Sequence, residues 1–229
     1  NLVLFQGELD AHGADALRVS LAFAGPVEDD KDWADVSTTG AQKFLSRAMR
    51  IAGEIDSPVD VVFAGGDAAL RRVTHRLLAD APGLVEHTKF NVLVARLMEL
   101  VNAIRKTIDS GAGAGDPAVR EAAETLAVML DLIAPHTAEE MWEAMGHEPS
   151  VGLVQWRTAD PALLIEDTVT TAIQINGKVR STLEVPAKIG DAELEALARA
   201  DEKVQRALEG KEVVRVIVRA PKIVNFAVK

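Results

Sequence analysis

The side chains best suited to bind a charged partner are the basic residues in the C-terminal part of the chain. Lys178 and Arg180 flank the tip of a turn at Asn176-Gly177. Asn-Gly between two alternating segments predicts a β-hairpin, because both turn positions take a positive φ. Further basic residues follow: Lys211, Arg215, Arg219 and Lys222. Cations on a small sheet suit contact with phosphate groups, although composition alone leaves ordinary solubilising charge open.

The distribution of charge along the chain favours phosphate contact over ordinary solubilising charge. The chain as a whole has a net charge of −10, which argues against a nucleic-acid partner. Residues 1–168 hold 14 Lys and Arg against 27 Asp and Glu, a net charge of −13, whereas residues 169–229 hold 11 against 8, a net charge of +3. This asymmetry indicates a polyanion-binding module in the C-terminal part.

The candidates for catalysis and metal binding are weaker. His136 with Glu139 and Glu140 could form a metal-binding face, but no third cluster of ligands accompanies them, so we favour packing and helix-end roles. There is no cysteine and no serine in a nucleophile elbow. The glycine-rich run at 111–115 does not lie between a strand and a helix and has no Lys-Ser/Thr pair, as a phosphate loop would, so it predicts a flexible connection between helices. We therefore expect no catalytic residue and no metal site.

The element that must organise the first part is Leu126–Gly146. Its apolar residues lie most of the way round a helix, which predicts a buried helix. Pro135 forces a corner, after which Thr137 is expected to cap a short amphipathic helix with Glu140 as its capping-box partner. Gly146 supplies a left-handed stop.

Helical periodicity predicts further helices in the first part of the chain. They cover Glu8–Ala24 with an interruption near Gly13, a segment from Ser37 to about Ile55, a segment from Asp67 to a break at Pro82-Gly83, Leu84–Ile108, and a segment starting at Asp116-Pro117. In the second of these, the basic residues Lys43, Arg47 and Arg50 form one stripe, at i, i+4 and i+7.

After Asp167 the hydrophobic period changes from helical to alternating. The predicted elements are strands Thr168–Asn176 and Val179–Val185, a helix Asp191–Leu208, and strands Val213–Val218 and Ile223–Val228. Alternation puts Val214 on one face with Val216 and Val218, and Arg215 on the other. The predicted fold is mainly α, a helical bundle followed by a small α+β (ββαββ) domain. The predicted divisions are a helical connection at 1–36, the bundle at 37–160 and the C-terminal domain at 168–229.

Four stretches resemble a known family. They are Gly13–Arg18; Leu132–Gly146 (LIAPHTAEEMWEAMG); Trp156 with Ala159-Asp160-Pro161; and Gln174–Arg180 (QINGKVR), which is extended by Val185-Pro186 and Val224-Asn225. The chain resembles the C-terminal third of a bacterial-type leucyl-tRNA synthetase over essentially its whole length. QINGKVR is the most specific match, while Arg157 stands where the family usually has Pro.

The resemblance implies a function for a longer parent enzyme. Such a class I synthetase attaches leucine to tRNA using ATP and Mg²⁺ in the cytoplasm, and both its catalytic and editing sites would lie upstream of Asn1. The absence of an initial Met likewise leads us to expect a fragment, with no cofactor of its own. Its partners would be tRNA(Leu) and the upstream catalytic domain, without a membrane.

The resemblance also implies what the two parts of the chain do, and the basic residues noted above are then the candidates for tRNA contact. The bundle would dock the tRNA body and the C-terminal domain would grip its elbow. The candidate residues are Lys178, Arg180, Arg215, Arg219, Lys222, Lys43, Arg47 and Arg50. The alternative from another class is an acidic helical protein-interaction module without RNA binding.

Overall fold

The computed structural model describes residues 5–33, 36–165 and 168–229, and it divides the chain into two compact units, Asn1–Leu164 and Ile165–Lys229. Each unit has a hydrophobic core of its own. The predicted ranges 1–36 and 37–160 both lie in the first unit, since the first helix contributes Ala16 and Val19 to the same core as the bundle. The range 168–229 lies in the second unit.

The described part of the first unit consists mainly of α-helices. They are α1 (Phe5–Phe23), α2 (Thr38–Glu54), α3 (Ala68–Glu86), α4 (Phe90–Thr107), α5 (Pro117–Leu130) and α6 (Pro135–Ala144). Helix α5 is buried on nearly every side and packs against α2, α3, α4 and α6. Ala122, Ala123 and Ala127 keep its neighbours close, while Leu126 and Leu130 fill the spaces between them. The buried organising helix predicted from the sequence is therefore confirmed.

The corner between α5 and α6 is capped differently from the prediction. Helix α6 begins at Pro135, and Thr137 does not cap it. Instead Asp15 of α1 accepts hydrogen bonds from the backbone N–H (2.6 Å) and the hydroxyl (2.8 Å) of Thr137. One turn later, Arg18 donates to the carbonyl oxygens of Ile133 (2.7 Å) and Leu132 (3.1 Å). A single turn of α1 thus places an anion at the N-terminus of α6 and a cation just beyond the C-terminus of α5.

Two predicted helix boundaries in the first unit are wrong. Helix α3 does not break at Pro82-Gly83 but continues to Glu86, since Leu84 and Val85 pack against the core and offset the hydrogen bond that Pro82 cannot make. The next helix begins at Phe90 rather than Leu84. The chain turns between them at Thr88, which has a φ of +52°.

The second unit is a four-stranded sheet covered by two helices. Its elements are β1 (Thr168–Ile175), β2 (Lys178–Pro186), α7 (Asp191–Ala200), α8 (Glu202–Leu208), β3 (Val213–Arg219) and β4 (Ile223–Val228). The strand order is β2-β1-β4-β3, with β1 and β4 parallel and the other neighbours antiparallel. The helix predicted at 191–208 is broken at Asp201, whose carboxylate accepts a hydrogen bond from Val204 N (2.9 Å) and so caps α8.

The helices cover one face of this sheet. Ile173, Val224 and Phe226 lie beneath Leu194 of α7 and Val204 of α8, all fully buried. The predicted fold class, a mainly helical bundle followed by a small α+β unit, is confirmed. No helix among the described residues is both long enough and apolar enough to cross a membrane.

Candidate nucleic-acid interface

The turn between β1 and β2 is the tight hairpin that the sequence predicts. Asn176 has a φ of +49° and Gly177 a φ of +77°, and Ile175 pairs with Lys178 across the turn. Positive φ at both positions is the geometry that Asn-Gly favours. Lys178 and Arg180 follow directly and are both exposed.

A bulge next to the turn separates the directions of these two cations. Ile173 pairs with Ser181 and Gln174 with Val179, which leaves Arg180 without a partner on β1. Ser181 is buried and donates to Asp201, the cap of α8, at 2.9 Å, so it faces the helices. Alternation then puts Arg180 on the opposite, open face. Lys178 pairs with the buried Ile175 and leaves the tip on the helix-covered side, so the two charges do not form one pair.

A second bulge determines what β3 presents. The register between β3 and β4 shifts between Val213 and Arg215, and Val214 is 57% exposed. The predicted grouping of Val214 with Val216 and Val218 is therefore wrong, because the inserted residue turns Val214 away from the core. Arg215 is exposed and alternates with the partly buried Val216, which places it on the open face of the sheet.

The open face therefore carries a defined set of side chains. Its basic members are Arg180 on β2 and Arg215 and Arg219 on β3; its exposed aliphatic members are Val179, Val214 and Ile217; its central amides are Gln174 and Asn225. Strands β2 and β3 are the two edges, so three strand spacings of about 4.8 Å separate the backbone of Arg180 from that of β3 by about 14 Å. Lys222 lies in the turn between β3 and β4.

The arginines of this face form no ion pair with a described carboxylate. The ion pairs found in the described part of the second unit lie within α7 and α8, between Arg199 and Glu195 and between Arg206 and Glu202. Glu184, at the far end of β2, is the acidic residue that alternation places on the open face. Three arginines against one distant glutamate leave this face positively charged.

A separate set of cations lies on the bundle. Lys43, Arg47 and Arg50 are exposed along α2, and Arg47 donates to Asn102 Oδ1 of α4 at 2.5 Å. Lys106 is one turn beyond Asn102 on the same face of α4, so it extends this stripe. Lys106 could not be assigned to this stripe from the sequence, because the adjacency of α2 and α4 is a tertiary contact.

The histidine and glutamate residues considered for metal binding are engaged in helix capping and loop contacts. His136 Nδ1 lies 2.9 Å from Asp15 Oδ1, and Glu139 accepts from the Ser150 hydroxyl and from Val151 N (3.0 Å). The Ser150 hydroxyl and the Val151 N–H hold the pKa of Glu139 below its usual range. The described residues contain no group of three potential metal ligands.

The fold of this chain is shared with a solved structure. Over the whole of this chain it is similar, with a TM-score of 0.74, to 31% of a chain in the crystal structure of the ternary complex of LeuRS, tRNA and LeuAMS from Agrobacterium radiobacter K84. At 20% identity this similarity concerns the fold, a helical bundle joined to a small α+β unit.

The sequence then gives the family. The profile described as "Anticodon-binding domain of tRNA ligase" matches residues 67–196, more than half of the chain, and the chain belongs to this family. It is 62% identical over its full length to a leucine–tRNA ligase of Leifsonia xyli, 57% over 228 residues to one of Nocardioides, and 44% over its full length to one of Tropheryma whipplei. The chain spans about a quarter of these relatives, between 26% and 28% of their length.

Proposed function

We propose that this chain is the tRNA-binding portion of a leucine–tRNA ligase, a class I aminoacyl-tRNA synthetase of the cytoplasm. Similarity to leucine–tRNA ligases along the full chain supports the parent enzyme. The observation that carries the binding role is the open face of the second unit, where Arg180, Arg215 and Arg219 form no ion pair with a described carboxylate. Such a face suits the phosphates of a folded RNA.

The proposed function divides the work within the parent. This chain binds tRNA(Leu) through the open face, with Lys178 and Lys222 at its margins and the stripe of Lys43, Arg47 and Arg50 on the bundle. Leucine activation with ATP and Mg²⁺, transfer to tRNA and editing belong to the remaining three quarters of the parent. No residue of this chain is given a catalytic role.

The experiment is a binding titration with tRNA(Leu) over a range of salt concentrations. Reversing two charges of the open face (Arg180→Glu with Arg215→Glu) should weaken binding and lower the salt slope by about 0.7–0.9 for each phosphate that is no longer neutralised. The matched control reverses two exposed charges of α8 (Lys203→Glu with Arg206→Glu), which changes the net charge equally but lies on the covered side.

The possible outcomes of this titration either support or contradict the proposed function. Weaker binding in the open-face variant alone supports the proposal. An equal decrease in both variants would mean that net charge and not the open face drives binding. Binding that scarcely changes with salt, or no binding by the unaltered chain, contradicts the proposal and favours a helical protein-interaction module.

A further inference from the structure

The hairpin turn at Asn176-Gly177 is tied to the last strand by both of its backbone amides. The N–H of Asn176 donates to the carbonyl oxygen of Phe226 at 2.9 Å, and the N–H of Gly177 donates to Asn225 Oδ1 at 3.1 Å. In a two-residue hairpin the strand ladder is closed by the flanking residues, here Ile175 and Lys178. The Asn176 bond is the last bond of the parallel ladder between β1 and β4, in which Ile175 pairs with Phe226. The Gly177 amide lies beyond this ladder, so its capture by a side chain of β4 is an additional feature.

The side chain of Asn176 adds two further bonds to the same strand. Its Oδ1 accepts from Val228 N at 2.9 Å, and its Nδ2 donates to the carbonyl oxygen of Val228 at 3.1 Å. The parallel pairing of β1 with β4 ends at Ile175 and Phe226. Beyond this pair the chain of β1 enters the hairpin turn, and the side-chain amide of Asn176 makes the hydrogen bonds to β4 that the backbone of a longer strand would make. Four hydrogen bonds, which we call the turn latch, therefore hold the hairpin tip to β4.

We infer that Asn225 is a positioning residue for RNA binding, acting through the turn latch rather than by contacting phosphate. It fixes Gly177, and with it the directions in which Lys178 and Arg180 leave the turn. A turn that is already ordered lowers the entropic cost of placing these side chains on a ligand. This inference rests on the proposed function, because it concerns how the same surface binds RNA.

A double-mutant cycle with tRNA(Leu) separates positioning from plain stabilisation. Asn225→Ala should weaken binding by about threefold to tenfold, since two side chains must then be ordered on binding. In a chain that already carries Lys178→Ala with Arg180→Ala, the same substitution should cause no further decrease. Gln205→Ala is the matched control, because it removes an amide hydrogen bond to Arg199 in the same unit (3.1 Å) away from the turn, and it should leave affinity unchanged.

Results that contradict this inference can be told apart from results that contradict the proposed function. An equal decrease from Asn225→Ala in both backgrounds would show that Asn225 only stabilises the domain, and this would overturn the inference while the proposed function stands. Unchanged binding after removal of Lys178 and Arg180 would also overturn it, because no contact would remain to be positioned. Failure of the unaltered chain to bind tRNA would instead contradict the proposed function.

Hydrogen exchange at the Gly177 amide tests the latch without RNA. The amide should be protected in the unaltered chain and exchange faster in Asn225→Ala. Asn225→Asp keeps an oxygen acceptor at this position and should restore the protection. Exchange that is the same in all three chains would mean that Asn225 does not hold the turn, and the inference would fail.

Discussion

At the scale of single residues, Asp15 gives the clearest prediction of how stability depends on pH. Burial of its side chain opposes ionisation, but hydrogen bonds from His136 and from the backbone and hydroxyl of Thr137 outweigh it, so the pKa of Asp15 is lowered. The ionised form is therefore stabilised by folding. Its contribution is complete above the unfolded-state pKa of about 3.9 and is lost as pH falls through the lower folded-state pKa.

We predict that Asp15→Asn lowers the free energy of unfolding by about 0.5–2 kcal/mol at pH 7, as expected for a weakened helix cap. The difference between the two chains should shrink below pH 4, because protonation removes the same charge from Asp15. Urea titrations of the helical unit at pH 7 and at successively lower pH measure this. A difference that does not change with pH would contradict the role given to the carboxylate.

Asp131, at the end of α5, provides a control because its pKa is shifted in the opposite direction. Burial and then the nearby charge of Glu139 raise its pKa, so folding disfavours its ionised form. Asp131→Asn should therefore stabilise the helical unit at pH 7, and this gain should also vanish as pH falls below the unfolded-state pKa. Asp15→Asn and Asp131→Asn therefore test the corner between α5 and α6 with two carboxyl groups whose pKa values are shifted in opposite directions.

The sequence predicts residue roles where the partner is local. Asp116 caps α5 through Ala118 N (2.7 Å), Gly146 has a φ of +88°, and Asn176-Gly177 forms the turn, all as expected. The cap of α6 could not be predicted in the same way. Its carboxylate comes from Asp15, more than a hundred positions earlier, and the local pattern around Thr137 offered a plausible but wrong alternative.

At the scale of elements, proline shows why local rules fail in packed helices. Pro82 lies inside α3, where it cannot donate to the carbonyl four residues earlier, yet the helix continues because Leu84 and Val85 pack against the core. Propensity predicts a break that tertiary packing overrides. Pro82 should therefore lower the stability of α3, and replacing it with a residue that has a backbone N–H should raise that stability.

We predict that Pro82→Ala stabilises the helical unit by about 1–3 kcal/mol, since it restores an N–H donor at an exposed helical position. Thermal and urea unfolding of the chain measure the gain. Pro117→Ala is the matched control. Pro117 occupies the first turn of α5, where proline suits the helix, so its replacement should be neutral or slightly destabilising. A decrease in stability in Pro82→Ala would show that α3 depends on proline there.

The two bulges limit prediction of the sheet in the same way. Alternation places side chains correctly along β4, but one inserted residue in β2 and one in β3 change which face the following side chains occupy. The existence of the strands follows from periodicity. The separation of Lys178 from Arg180, and the exposure of Val214, follow from register shifts that the sequence does not mark.

At the scale of the whole molecule, charge and apolar surface together favour one part of a tRNA as the ligand of the proposed interface. The net charge of the first 168 residues is strongly negative, and the positive charge is concentrated after them. The open face adds Val179 and Ile217, which are 56% and 38% exposed, between and beside its arginines. Apolar and guanidinium surfaces of this kind suit unstacked bases, which tRNA displays at its elbow, where two loops meet.

We predict that this chain binds the tRNA elbow and leaves the anticodon unread, despite the name of its family. Leucine is encoded with several different anticodons, so the anticodon is a poor mark of identity. Replacing the anticodon of tRNA(Leu) should change affinity by less than about twofold, whereas disrupting the contact between its two elbow loops should cost about tenfold or more, as expected when base stacking is removed. Binding titrations with the three RNAs at one salt concentration compare these effects. The elbow effect should disappear in the chain with Arg180→Glu and Arg215→Glu, because the open face is already impaired. If the anticodon change costs more than the elbow change, the basic stripe of Lys43, Arg47 and Arg50 on the bundle reads the anticodon, and the elbow assignment is wrong.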